Sequence, residues 1–298
     1  MLSLASLGLK SVHDDGIDKT NMAAFKALTL ENKMPIRINA MLYLPSPEWQ
    51  TVLREGSYNS KDGMFALNSV KIQADGALGS RGAALINEYS DHPGHTGLLL
   101  HDKTSLIHYI NTAMTAGFQV NTHAIGDNAN KQVLDIYEDQ IKITNSKHLR
   151  HRIEHAQVLR LIDIPRFAKN NIIASMQATH ATRDKNMALT RLGPDRIDGA
   201  YTWRKLLNAG TIIAAGSDFP VESPNPFYGL HASVTRQDKT NQPQGGWYKS
   251  QKMTRVEALR TFTIDAAYAG HQEQMIGSLV PGNKADFILV TDDYITVK

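Results

Sequence analysis

Four short runs rich in Ile, Val or Ala each end on a polar side chain able to bind a metal: Asn68 to Lys71, Gln119 to His123, Arg152 to His155 and Thr211 to Asp218. Each is followed by glycine or a polar turn and then a helical pattern. A strand of a parallel α/β barrel delivers a side chain to the barrel mouth in this way. Two histidines, one aspartate and one lysine from separate strands point to a hydrolytic metal centre. Imidazole with an oxygen donor suits zinc better than magnesium or calcium. A bound divalent ion lowers the pKa of water to about 7. Asp218 would accept the proton of the attacking water. Each residue also has a plainer reading. A lone strand histidine is more often a hydrogen-bonded core residue, Asp218 could cap a turn, and Lys71 could pair with Asp75.

Other polar residues fall near the same strand ends. His180, in the run Ser175 to Asp184, would reach the mouth as a catalytic group, touching substrate or polarising a carbonyl; otherwise it is a loop histidine. Gln177 stands at the same strand end as a candidate substrate contact. Arg81, between Ser80 and Gly82, would bind substrate or pair with Asp75. His92, His95, His101 and His108 read as a surface feature. Trp203 reads as packing, and Trp247 could line a pocket.

Strands alternating with helices must position these groups. Strands are predicted over Leu9 to Asp14, Pro35 to Tyr43, Ser69 to Ala74, into His123, into His155, over Asn171 to Gln177 and into Asp218. Helices are predicted over Asp18 to Leu30, Thr104 to Ala116, from Asp127, around Ile164 to Ala168 and over Tyr201 to Ala209. Thr254 and Glu257 form a capping-box pattern, opening a helix to about Ala269. The opening residues read as the last turns of a helix ending near Gly8. Seven strands in βα alternation describe a parallel sheet with outer helices, whereas a closed barrel of this kind has eight. The stretch from Phe219 to Gln251, rich in Pro, Gly, Asn and Gln, has the length of a functional loop or lid. Beyond Gly277 the pattern changes to two short strands around a turn, up to Val290.

Composition narrows the classes. The chain has 298 residues, 42% of them hydrophobic, enough for a large core. Its formal net charge of +3 is spread along the sequence rather than blocked, so nucleic acid is not implied. With no cysteine, disulfides, thiolate zinc sites and a cysteine nucleophile are excluded. No apolar run approaches the roughly 18 residues of a membrane span.

Several segments together resemble the amidohydrolase superfamily: Val70 to Arg81, Thr122 to Asp127, Arg152 to Gln157, Gly216 to Glu222 and Gly282 to Leu289. The specific likeness is to its "amidohydrolase family 3" branch, which includes N-substituted formamide deformylases, and it covers nearly the whole chain. The resemblance implies a (β/α)8 TIM-type barrel with one or two divalent metals, usually zinc. It makes Lys71 the carboxylated bridging lysine, His123 and His155 the single histidine ligands, and Asp218 the aspartate of the eighth strand. The family's His-x-His has no counterpart in this sequence.

The expectation is therefore an α/β barrel lacking its first strand. Residues 1–275 would form the barrel and 276–298 part of a small β-sandwich. At most one metal would bind per chain, and activity would be impaired. The substrate would be a small molecule with an amide, formamide or cyclic amide bond, and a homo-oligomer would cover the open barrel edges. The competing reading is an inactive or ligand-binding remnant of the same fold.

Overall fold

The computed structural model describes residues 1–297. In chain order the elements are α1 (Leu2–Ala5), β1 (Ser11–Ile17), α2 (Lys19–Leu30), β2 (Arg37–Tyr43), α3 (Trp49–Glu55), β3 (Tyr58–Asn59) and β4 (Phe65–Gln73). Then come α4 (Lys103–Thr115), β5 (Gln119–Ala124), α5 (Asp127–Thr144), β6 (Arg152–His155), α6 (Ile164–Asn170), β7 (Ile173–Met176) and α7 (Ala178–Leu192). The chain continues with α8 (Trp203–Asn208), β8 (Ile213–Ala215), α9 (Pro226–Thr235), α10 (Arg255–Thr261) and α11 (Ile264–Ala269). Seven strands pair in parallel in the order β1-β2-β4-β5-β6-β7-β8, and β3 pairs antiparallel with β4. The sheet curls as a half-barrel of the TIM type. Strands β1 and β8 are its two ends, so the barrel is open where an eighth parallel strand would stand.

Side-chain alternation divides the sheet into two faces. Ile38, Ala40 and Leu42 of β2, Val70 and Ile72 of β4, Val120 of β5 and Ile153 of β6 belong to one buried core. The helices reach it through residues such as Val133, Leu134, Tyr137 and Ile141 of α5, spaced three and four apart on one helix face. The alternate positions are polar: Lys71 pairs in register with Asn121, and Asn121 with Arg152. One register step higher, Gln73 stands opposite His123, and His123 opposite Glu154. The concave face therefore carries these polar side chains, and the convex face the core.

Several boundaries differ from the sequence expectation. Helix α4 is capped by Asp102, whose carboxylate accepts from Ser105 N at 2.9 Å, rather than by Thr104. The helix opened by Thr254 has its capping box but breaks after Thr261, so α10 and α11 are separate. A helix, α9, occupies part of the expected loop from Phe219 to Gln251. The two short strands expected between Gly277 and Val290 do not form among the described residues. That segment finds no strand to pair with, and is held instead by the Arg37–Asp286 ion pair at 3.0 Å and by Ile288 against Gly8. No helix among the described residues is long and apolar enough to cross a membrane.

Candidate metal centre

His123 is the penultimate residue of β5 and His155 ends β6, and their rings come together with centroids 4.6 Å apart. Strict alternation along β6 would send Glu154 and His155 to opposite faces. The backbone resolves this at the strand end: His155 has φ +75° and Ala156 φ +43°, both in the left-handed region. Asp218, just past β8, is also left-handed, at φ +57°. Non-glycine residues hold this conformation at a cost that surrounding structure must offset, and such strain clusters at functional sites.

Across the mouth, His155 stacks against His180 with ring centroids 5.8 Å apart. His180 Nε2 lies 3.8 Å from Asp218 Oδ2. The metal-binding atoms of His155, His180 and Asp218 all lie within 4.8 Å of one another. His180 is not a loop residue but stands in the first turn of α7, so helix packing fixes its reach.

Each imidazole is poised to act as a neutral ligand or hydrogen-bond donor. His155 Nδ1 is 2.7 Å from Gln177 Oε1. A carbonyl oxygen can only accept, so the proton sits on Nδ1 and the Nε2 lone pair is free. Gln177 thus orients His155. The Nε2 atoms of His123 and His180 are buried and make no hydrogen bond. Burial, reinforced for His123 by Lys71 and for His180 by Arg183, pushes the His123 and His180 imidazoles down to about 4. His155 is held well below the ordinary imidazole value by burial and by its neighbour His123. Asp218 moves the other way, to about 6, through burial and the nearby negative charge of Asp15. Buried, unpartnered imidazole nitrogens beside a carboxylate are a donor set that fits a divalent transition metal.

Lys71 of β4 is 4% exposed, and its ammonium pairs with Asp15 of β1. The plainer reading paired Lys71 with Asp75, but Asp75 is committed elsewhere. Its oxygens accept from Ala84 N at 2.8 Å, Ile125 N at 2.9 Å and Gly126 N at 2.8 Å, tying the loop after β4 to the loop after β5. Nor does Asp75 pair with Arg81. Both ends of the Arg81 guanidinium are held by Asp91, at 3.0 and 3.1 Å, and Arg191 binds the same carboxylate. The structure therefore brings Lys71, His123, His155, His180, Gln177 and Asp218 to one strand-end face and leaves Arg81 in a separate ion-pair cluster. Asp15 is the functional candidate that sequence reading missed. It stands two residues past His13, where alternation places both on the concave face, and that spacing was the available signal.

The sequence pattern of the amidohydrolase family matches residues 1–298. The chain is 34% identical over 269 residues to the protein LONG AFTER FAR-RED 3 of Arabidopsis thaliana, covering 89% of this chain and 46% of that protein. It is 31% identical over 275 residues to the YtcJ protein of Bacillus subtilis (strain 168), covering 91% of this chain and 50% of that protein. The chain thus spans about half the length of these relatives. An uncharacterized metal-dependent hydrolase from Pyrococcus horikoshii OT3 superposes with a TM-score of 0.85 at 28% identity, covering 100% of this chain and 59% of that one. With the family pattern running from its first residue to its last, this chain belongs to the amidohydrolase family.

Proposed function

We propose that the chain carries the strand-end chemistry of a metal-dependent hydrolase that cleaves a C–N bond other than a peptide bond, in an amide, formamide or cyclic amide. The observation that carries the reading is the convergence of His155, His180 and Asp218, with the His123 ring beside His155 and the Nε2 atoms of His123 and His180 buried without a hydrogen bond. A similar chain, the N-substituted formamide deformylase of Arthrobacter pascens, is 24% identical over 208 residues, covering 67% of this chain and 36% of that protein. Its name supports the bond class.

His155 and Asp218, with His180 or His123 beside them, would hold the ion, zinc being the best match to these donors. When bound, a divalent metal supplies water of lowered pKa and positive charge beside the scissile group. Gln177 keeps His155 in the tautomer that presents Nε2. Asp218, delivered to the mouth just past β8, takes the proton of the attacking water and delivers it to the leaving nitrogen. His180, beside Asp218, donates to the substrate oxygen as negative charge develops there. Lys71 as an ammonium has no lone pair to offer. Loss of two protons and addition of the amine to CO2 would turn Lys71 into a carbamate, an oxygen donor, in place of its ion pair with Asp15.

The test is turnover of a panel of N-acyl amines, formamides and cyclic amides with added zinc, by the wild-type chain, by Asp218→Asn, and by both forms within the longer relatives' framework. Asp218→Asn is expected to abolish turnover wherever it is seen, a loss of several kcal/mol at 1.36 kcal/mol per tenfold. Turnover that survives Asp218→Asn would remove Asp218 as the base. The competing reading is a ligand-binding remnant of the same fold. It would be favoured by tight substrate binding without turnover in both frameworks.

A further inference from the structure

Tyr201 uses every polar group it has, and does so in a strained conformation. Its φ is +52°, uncommon for a residue with a bulky side chain. Its N–H donates to Gln157 O at 2.8 Å, and its carbonyl accepts from Arg236 Nη1 at 3.0 Å. Its hydroxyl donates to Asp184 Oδ2 at 2.6 Å and accepts from Gln157 Nε2 at 2.6 Å. Gln157 Nε2 also reaches Asp184 Oδ2, at 3.2 Å. The ring is 2% exposed and meets Trp247 edge-on at 5.5 Å.

The partners' places in the chain give this network its meaning. Gln157 lies two residues past His155, on the loop leaving β6. Asp184 lies four residues past His180, one turn further along α7 and on the same helix face. His155 and His180 stack across the gap between those two elements. Among the described residues, Tyr201 is the side chain hydrogen-bonded to both sides of that gap through one oxygen.

We propose that Tyr201 is a positioning residue for the site, locking the loop that carries His155 to the helix that carries His180 through Gln157 and Asp184. A buried tyrosine with hydrogen-bonded neighbours could be no more than core. Here the hydroxyl serves two residues that follow the two facing imidazoles by two and four positions, and the backbone strain is accepted to put it there. The inference takes from the proposed function only that His155 and His180 serve one centre.

The test compares Tyr201→Phe, which keeps the ring against Trp247 and deletes the hydroxyl, with Asp184→Asn, which keeps an acceptor for it. Arg166→Ala serves as a control, because it removes a remote ion-pair network to Asp135, Glu138 and Asp163. Histidine side-chain NMR without added metal reads the positions directly. In Tyr201→Phe the His155 and His180 resonances are expected to move while those of His13 and His151 stay. Asp184→Asn should largely retain the wild-type spectrum, and Arg166→Ala should leave it unchanged. Unmoved His155 and His180 signals, or equal movement of all buried histidines, would overturn the proposal. Zinc titration gives a second readout: Tyr201→Phe should weaken binding, by less than the roughly 10- to 100-fold expected for a group bonded directly to a ligand, and Arg166→Ala should not. A wild-type chain that binds no zinc would refute the metal centre, and the NMR comparison would still decide the role of Tyr201.

Discussion

His151 stands four residues before His155, yet the two do opposite jobs. His151 Nδ1 accepts the N–H of Val120 at 3.0 Å, so its proton sits on Nε2 and faces Ser146 Oγ at 3.0 Å. Burial pushes this imidazole down to about 3. Between that value and the unfolded value of 6.5, the unfolded chain binds the proton and the native one does not. Stability therefore rises with pH through this window; the contribution is complete above about 6.5 and is lost as pH falls toward 3. Denaturant unfolding at about pH 4.5 should show a loss on the order of 2–3 kcal/mol from this residue relative to neutral pH. His151→Gln should flatten that part of the dependence, and an unchanged acid slope would contradict the assignment. The contrast shows what the sequence conveyed. The placement of His123, His155, Asp218 and Lys71 on one face was legible because each follows an apolar run that folds as a strand of the sheet. The true partner of Lys71 was not, because Asp15 lies 56 residues away and only strand pairing brings it close. Asp75 stands nearer in sequence, but three backbone amides already use it.

At the scale of elements, the loops after β4 and β5 are held against each other with almost no clearance. A Cβ on Gly126 would fall 2.0 Å from Ala84 O, and the neighbouring Asp75 fixes both strands of this contact. Gly126→Ala should destabilise the fold by about 1–3 kcal/mol, the usual cost of overpacking. Gly216→Ala is the comparison, since no atom lies within 4 Å of its added Cβ and its φ is not positive. Thermal unfolding of the two variants checks this, and equal melting temperatures would refute the close-packed loop contact. Loop interlocks of this kind are invisible in sequence, because they depend on carbonyls from a distant segment. The helices were more legible, with α2, α4, α5 and α10 each marked by a cap or a 3.6-residue period. Helix α7 escaped because its Thr, His, Arg and Asp residues hide the buried positions Ala181, Ala188 and Leu192. The strands expected after Gly277 show the reverse error: alternating apolar residues promise a strand only when another edge is available to pair with it.

Taken whole, the molecule is a seven-stranded parallel half-barrel whose β1 and β8 edges pair with no strand of their own chain among the described residues. Unpaired parallel edges are a liability that proteins cover. The isolated chain is therefore expected to self-associate, as sedimentation velocity across a concentration series would show; a concentration-independent monomer would count against exposed edges. The fold class was readable because βα alternation repeats along most of the chain, and the opening was readable because only seven strands could be counted. The central claim is that one metal sits where His123, His155, His180 and Asp218 converge. Equilibrium dialysis against zinc, followed by elemental analysis of the wild-type chain and of His155→Ala, tests it most directly. One tightly held zinc per wild-type chain, lost in His155→Ala, is the expected result. Two equivalents in the wild type, or one that survives His155→Ala, would contradict it.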